Sequence, residues 1–69
     1  MDDETQEFGI RVKRVGTKEI DHREAFTGTR REVDNRATDI WNDKYSTQPG
    51  RFKLSVYQKG VKAAITVIG

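Results

Sequence analysis

A single amphipathic helix pattern lies between two segments of alternating apolar residues, and this order most constrains the fold. Thr29 is followed three residues later by Glu32, the spacing of a capping box at a helix start. The apolar residues that follow recur on one helical face: Val33, Ala37, Ile40, Trp41 and Tyr45. The pattern predicts a helix over residues 29–46, ended by Pro49-Gly50 because proline cannot continue a helix.

The segment before the helix predicts at least one β-strand. Within residues 8–15, Phe8, Ile10 and Val12 alternate with glycine and basic residues. This period of two is typical of a strand with one buried face.

Residues 18–28 leave two alternatives open, because their apolar residues fit neither a helical nor a strand period well. A turn at Gly16-Thr17 would let them pair back on the first strand as a hairpin, with Arg11 facing Glu24. An irregular loop is the other alternative.

Residues 51–68 predict a second hairpin, with a two-residue turn at Lys59-Gly60. Glycine tolerates the positive φ that such turns require. Under this turn the apolar residues pair on one face: Val56 with Ala63, Leu54 with Ile65, and Phe52 with Val67. A one-residue slip would oppose apolar to polar side chains, so the agreement supports the register.

The resulting order, β-(β)-α-β-β, predicts an α+β fold. We expect a two-layer sandwich in which an antiparallel sheet of three or four strands carries the helix on one face. The pattern does not determine the strand order. Residues 1–7 are polar and aperiodic, which predicts a disordered acidic tail before a single domain over residues 8–69.

Composition limits how this small fold can be stabilised. Only 33% of the 69 residues are hydrophobic, and small scaffolds of this kind usually add a disulfide, a metal or a partner. Cysteine is absent and His22 is the one histidine, so disulfides are excluded and a zinc site nearly so. We therefore expect no cofactor and either close packing or a protein partner.

Catalytic and membrane functions have little support in the sequence. No phosphate-binding loop, dinucleotide fingerprint, zinc-protease motif or serine-hydrolase motif occurs. No apolar run reaches the roughly 18 residues of a membrane span, and the acidic N-terminus is unlike a signal peptide. We expect a cytoplasmic protein that is not an enzyme and has no membrane partner.

The net charge of +2 conceals a separation of charge. Residues 1–7 carry four acids and no base, so the remaining chain stands at +6. In the predicted register the sheet face away from the helix carries six basic and aromatic candidates for binding: Arg11, Lys13, Arg51, Lys53, Tyr57 and Lys62. Such a surface suits nucleic acid, through phosphate contacts and base stacking.

A second surface motivates the leading hypothesis, which is protein interaction or assembly. Ala64, Ile68 and Val15 would be apolar residues on an otherwise polar face, beside unpaired edge strands. We expect a small non-enzymatic binding protein, with nucleic-acid binding as the alternative. A short, highly charged, cysteine-free chain is also compatible with a phage or mobile-element accessory or inhibitor protein.

Overall fold

The structure, a computed structural model, describes residues 5–48 and 50–69, which form a four-stranded antiparallel sheet with one helix on one face. In chain order the elements are β1 (Gln6–Arg14), β2 (Ile20–Gly28), α1 (Arg30–Ile40), a π-helical turn (Trp41–Tyr45), β3 (Phe52–Gln58) and β4 (Thr66–Ile68). The strands lie in the order β2-β1-β3-β4. The predicted α+β sandwich is confirmed, with residues 18–28 supplying the fourth strand rather than a loop.

The core lies between α1 and the two central strands, and the predicted periodicities account for most of it. Its buried members are Phe8, Ile10, Val12, Val33, Ala37, Ile40, Tyr45, Leu54 and Val56. Alternate residues of β1 and β3 point to the helix, and residues at helical spacing on α1 point back. Phe26, Trp41, Phe52, Ile65 and Ile68 pack around this cluster while remaining partly exposed.

The capping box predicted at the start of α1 is confirmed. The Glu32 amide donates to the Thr29 hydroxyl at 3.2 Å, and the Thr29 amide donates to the Glu32 carboxylate at 2.8 Å. Gly28 precedes this motif, and a Cβ there would lie 2.8 Å from the Phe26 ring and 2.9 Å from that carboxylate. The close approach explains why glycine ends β2.

The helix does not continue as a regular α-helix to its C-terminal end. The Ser46 amide donates to the Trp41 carbonyl at 2.9 Å, an i to i+5 bond that widens the last turn. Tyr45 is then buried to 1% exposure, and its ring centroid lies 4.8 Å from that of Phe52. Its hydroxyl donates to the Asp21 carboxylate on β2. Tyr45, more than the half-buried Trp41, therefore anchors this end of the helix.

The register predicted between the first two strands is wrong by one residue. Arg11 faces Arg23, not Glu24, and Glu24 faces Ile10. A one-residue slip exchanges the two faces of a strand. The observed register places Phe26 against the core, whereas the predicted one would have placed it on the open face. It also brings Glu24 within 2.8 Å of Arg36 on α1.

The register predicted between the last two strands is also wrong. Leu54 faces Ile68, not Ile65, and β4 holds only three residues. Gly60 has a φ of +86°, whereas no non-glycine residue among those described has a positive φ, so Lys59 does not. Hairpin turns of type I′ or II′ need a positive φ at the first central position, and other turns splay the strands. A turn forms at Lys59-Gly60, but it does not lead directly into β4. A loop lies between the turn and this strand.

The N-terminal boundary differs from the prediction as well. β1 already begins at Gln6, and Gln6 and Glu7 pair with Gly28 and Thr27 of β2. Strand pairing thus extends two residues into the predicted acidic tail. Residues 1–4 of that tail lie outside the described residues.

The Tyr45–Asp21 hydrogen bond gives a first testable prediction. Tyr45→Phe keeps the ring in the core and removes the bond, so we expect the free energy of unfolding to fall by about 1 kcal/mol. Urea denaturation followed by Trp41 fluorescence measures this. Tyr57→Phe is the matched control on the open face, and there we expect less than about 0.5 kcal/mol. Equal losses in the two variants would contradict the assignment.

The same bond should respond to alkaline pH. Burial, and then the hydrogen bond to Asp21, raises the pKa of Tyr45 from 10.0 to about 12. A raised pKa means that the folded state favours the protonated phenol, so this stabilisation is complete below pH 10 and is lost towards pH 12. We expect the stability advantage of the native chain over Tyr45→Phe to shrink across that interval. An advantage that is constant with pH would contradict this.

The Glu24–Arg36 ion pair should respond to acid. Hydrogen bonding from Arg36 is the main influence lowering the pKa of Glu24 below 4.5, with burial opposing it. The pair therefore stabilises the fold above that pH and less as pH falls through the lowered pKa. We expect Glu24→Gln to destabilise the protein by about 0.2–1 kcal/mol at neutral pH, and by less in acid. Glu19→Gln in the β1–β2 turn is the control, and an equal, pH-independent loss there would count against the pair.

Candidate binding surface on the open sheet face

The open face of the sheet carries the side chains that alternate with the buried ones. The pairings arrange them in rows across the strands: Arg23, Arg11, Ser55 and Val67 in one row, Ile20, Lys13 and Lys53 in a second, and Ala25, Gly9 and Tyr57 in a third. Residues in one row are direct cross-strand neighbours on the same face. The rows therefore bring together side chains that are far apart in the sequence.

Two of these rows place like charges directly opposite each other. Arg11 faces Arg23 across the β1–β2 pair, and Lys13 faces Lys53 across the β1–β3 pair. Directly opposed like charges destabilise a sheet. We call these four residues the basic patch.

An acid on the open face of β1 is already engaged in an ion pair. Glu7 lies at the far end of β1, and its carboxylate pairs with the Lys59 ammonium at 3.0 Å. No acidic residue occurs in the rows of the basic patch. Within the described ranges, the rows therefore contain no acid that offsets the charge of the patch.

Most of the described acids lie on the other side of the molecule. Four are on α1 and the turn after it, and two are on the helix side of β2: Glu32, Asp34, Asp39, Asp43, Asp21 and Glu24. Asp34 accepts from the Thr66 hydroxyl at 3.0 Å, and Glu24 pairs with Arg36. The acids are thus used partly in joining the helix to the sheet, while the bases of the patch make no such contacts.

Tyr57 lies beside the basic patch. Its ring is half-buried on β3, and the Arg11 guanidinium carbon lies 5.0 Å from the ring centroid. This cation–π contact holds the arginine against the sheet and is worth about 0.5–1 kcal/mol at such exposure. The ring and the arginine that it contacts offer both stacking and charge to a ligand.

The predicted basic surface is brought together only in part. Arg11, Lys13, Lys53 and Tyr57 share the open face as expected. Two other members do not lie in its rows. Arg51 precedes β3 in a turn, where its carbonyl accepts from the Val15 amide at 2.8 Å. Lys62 lies in the loop between β3 and β4, because the predicted hairpin does not form there.

Arg23 is the member of the patch that sequence reasoning missed. The predicted register turned Glu24 to the open face and Arg23 to the core side. Phe26 is the residue that could have revealed this. If its ring packs on the core, alternation along the strand places Arg23, three residues earlier, on the open face. A bulge at Asp21 separates the pairs Val12–His22 and Lys13–Ile20. It shifts the register, so that Ile20 at the start of β2 pairs with Lys13.

The predicted apolar interface is not assembled. Ile68 faces Leu54 and packs against the core, so its predicted position on the open face is wrong. Val67 takes that position instead, at 50% exposure. Ala64 is half-buried in the loop before β4, and Val15 is 56% exposed in the β1–β2 turn. The three residues therefore do not form one surface.

A cleft also lies between α1 and the β2 edge of the sheet. Its lining mixes charges of both signs: His22, Arg36, Asp39, Asp43 and Lys44, with Ile40 and Tyr45. The imidazole of His22 lies 3.3 Å from the Glu24 carboxylate, and Tyr45 is bonded to Asp21. Within residues 5–48 and 50–69, no three histidine, aspartate or glutamate side chains converge as a metal site.

In the part of the chain that the structure describes, no helix is long and apolar enough to cross a membrane. Comparison with known proteins finds no matching family model, no matching curated protein and no matching solved structure.

Proposed function

We propose that this chain is a binding protein rather than an enzyme, and that the open sheet face binds the phosphate backbone of nucleic acid. The observation that carries the proposal is the pair of directly opposed like charges, Arg11 with Arg23 and Lys13 with Lys53, without an acid in either row. Such an arrangement opposes folding, and a bound polyanion relieves the repulsion.

The dimensions of the patch agree with contact to a few phosphates. Residues two apart on a strand are about 7 Å apart, and neighbouring strands are about 4.8 Å apart. The four cations of the patch therefore originate from an area of roughly 7 by 10 Å. If all four neutralise phosphates of a single strand, the slope of log affinity against log salt is about −3.

This slope makes the proposal quantitative. Raising salt from about 50 to 200 mM should weaken binding of a single-stranded oligonucleotide roughly 50-fold. Arg11→Glu or Lys53→Glu should abolish binding. Lys53→Gln should reduce the slope of log affinity against log salt by about the contribution of one phosphate contact. Fluorescence anisotropy with a labelled oligonucleotide measures all of these.

The matched control is Arg31→Glu, which makes the same charge change on the exposed side of α1. It should leave the affinity within about twofold, because it lies on the face opposite the patch. Equal loss in Arg31→Glu and Lys53→Glu would indicate a response to net charge alone. Absence of binding to DNA and RNA at low salt would overturn the proposal.

Protein interaction or assembly is a second candidate, favoured by a separate observation. Val67 and Ile20 are 50% and 40% exposed at the two margins of the open face, and the nine-residue β2 is an edge strand. Exposed apolar residues beside a free strand edge suit pairing with another chain. If this candidate holds, sedimentation should give a mass above 7.9 kDa, and Val67→Lys should restore the monomer mass. A monomer at all concentrations would remove self-assembly.

In either role we propose a cytoplasmic protein. A small, charged, cysteine-free binding domain also suits an accessory or inhibitor role in a phage or mobile element.

The two candidates predict different responses to salt, since charge contacts weaken with ionic strength whereas apolar contacts do not.

A further inference from the structure

Gly9 occupies the middle of the central strand, yet nothing described in the fold requires a glycine there. Its φ is not positive, and its pairing with Ala25 and Tyr57 contains no bulge. Apart from its two chain neighbours, no atom of residues 5–48 and 50–69 would lie within 4 Å of a Cβ built at Gly9. This contrasts with Gly28, where an added Cβ would collide with Phe26 and Glu32.

A glycine inside a strand weakens the strand, and one common reason to keep it is the close approach of a ligand. Another common reason is that a cross-strand aromatic ring covers the glycine. Tyr57 stands directly opposite, but its ring stays more than 4 Å from the added Cβ. Among the described residues, the space above Gly9 is therefore open rather than filled by another side chain.

The surroundings of this space define what would fit. Ala25 and Gly9 form a floor of two small residues, and the Tyr57 ring stands at its side. Shallow depressions lie on both sides of Gly9, one bordered by Arg11, Arg23 and Glu24 and the other by Tyr57 and the Glu7–Lys59 ion pair. We call this space the Gly9 niche. It combines a floor of small residues, an aromatic wall and two arginines at one border.

We propose that the Gly9 niche is a nucleobase subsite, so that the protein prefers single-stranded nucleic acid. An unpaired base lies over Gly9 and Ala25 against the Tyr57 ring, while Arg11 and Arg23 contact the flanking phosphates. This inference rests on the proposed function of the open face and specifies its ligand. In a duplex the faces of the bases are covered by their neighbours, whereas an unpaired base offers a free face for stacking.

The test fills the niche without changing any charge. Gly9→Val adds a β-branched side chain where an added Cβ has free space, so the fold should be retained and its urea midpoint unchanged or raised. We expect this variant to bind a short single-stranded oligonucleotide of mixed sequence about tenfold more weakly than the native chain. Its affinity for heparin and for a duplex of the same sequence should stay within twofold, because the basic patch is intact.

Tyr57 variants separate stacking from other roles of the ring. Tyr57→Phe keeps the aromatic face and should retain single-strand binding, whereas Tyr57→Leu keeps bulk without the π-face and should lose about tenfold. In both Gly9→Val and Tyr57→Leu, the preference for single-stranded nucleic acid over duplex should disappear. Unchanged single-strand affinity in Gly9→Val, with its fold intact, would overturn the subsite and leave the phosphate-binding face standing.

Two other outcomes are distinguishable from that one. If the native chain binds neither oligonucleotide nor duplex at low salt, the proposed function fails and the subsite fails with it. If a poly-glutamate peptide binds as tightly as the oligonucleotide and Gly9→Val weakens neither, the patch serves an acidic protein and the subsite is overturned.

Discussion

Burial of one face of β1 beneath the helix is the constraint on which the rest of the structure depends. Ile10 and Val12 have no exposed surface and Phe8 has 5%, so each side chain between them must point away from the helix. β1 also pairs with both β2 and β3, which transmits this choice of face to its neighbours. The positions of Gly9, Arg11 and Lys13 on the open side follow from the burial of an apolar triplet.

The same constraint separates the charges. Acids on the helix side join the two layers, as Asp21 does with Tyr45, Glu24 with Arg36, and Asp34 with the hydroxyl of Thr66. The cations on the open side are opposed to one another instead.

Local patterns predicted most of this arrangement. The capping box, the apolar stripe of α1 and the alternation of β1 and β3 each depend on residues close in sequence, and each is confirmed. The registers of β2 and β4 were predicted wrongly, because register depends on contacts between distant residues. For β4 the decisive detail was the φ of Lys59, which prevents a two-residue hairpin at Gly60. For β2 it was the packing of Phe26 in the core.

Some features of the candidate surface follow from local sequence patterns, and others follow from strand register. Local alternation alone places Arg11, Lys13 and Lys53 on one face, because their buried neighbours on β1 and β3 leave no other orientation. Only the tertiary structure decided that Arg23 joins them, that Val67 rather than Ile68 faces outward, and that the space above Gly9 stays open. These depend on strand register and on where the Tyr57 ring lies, which are set by packing across the sheet rather than by neighbours along the chain.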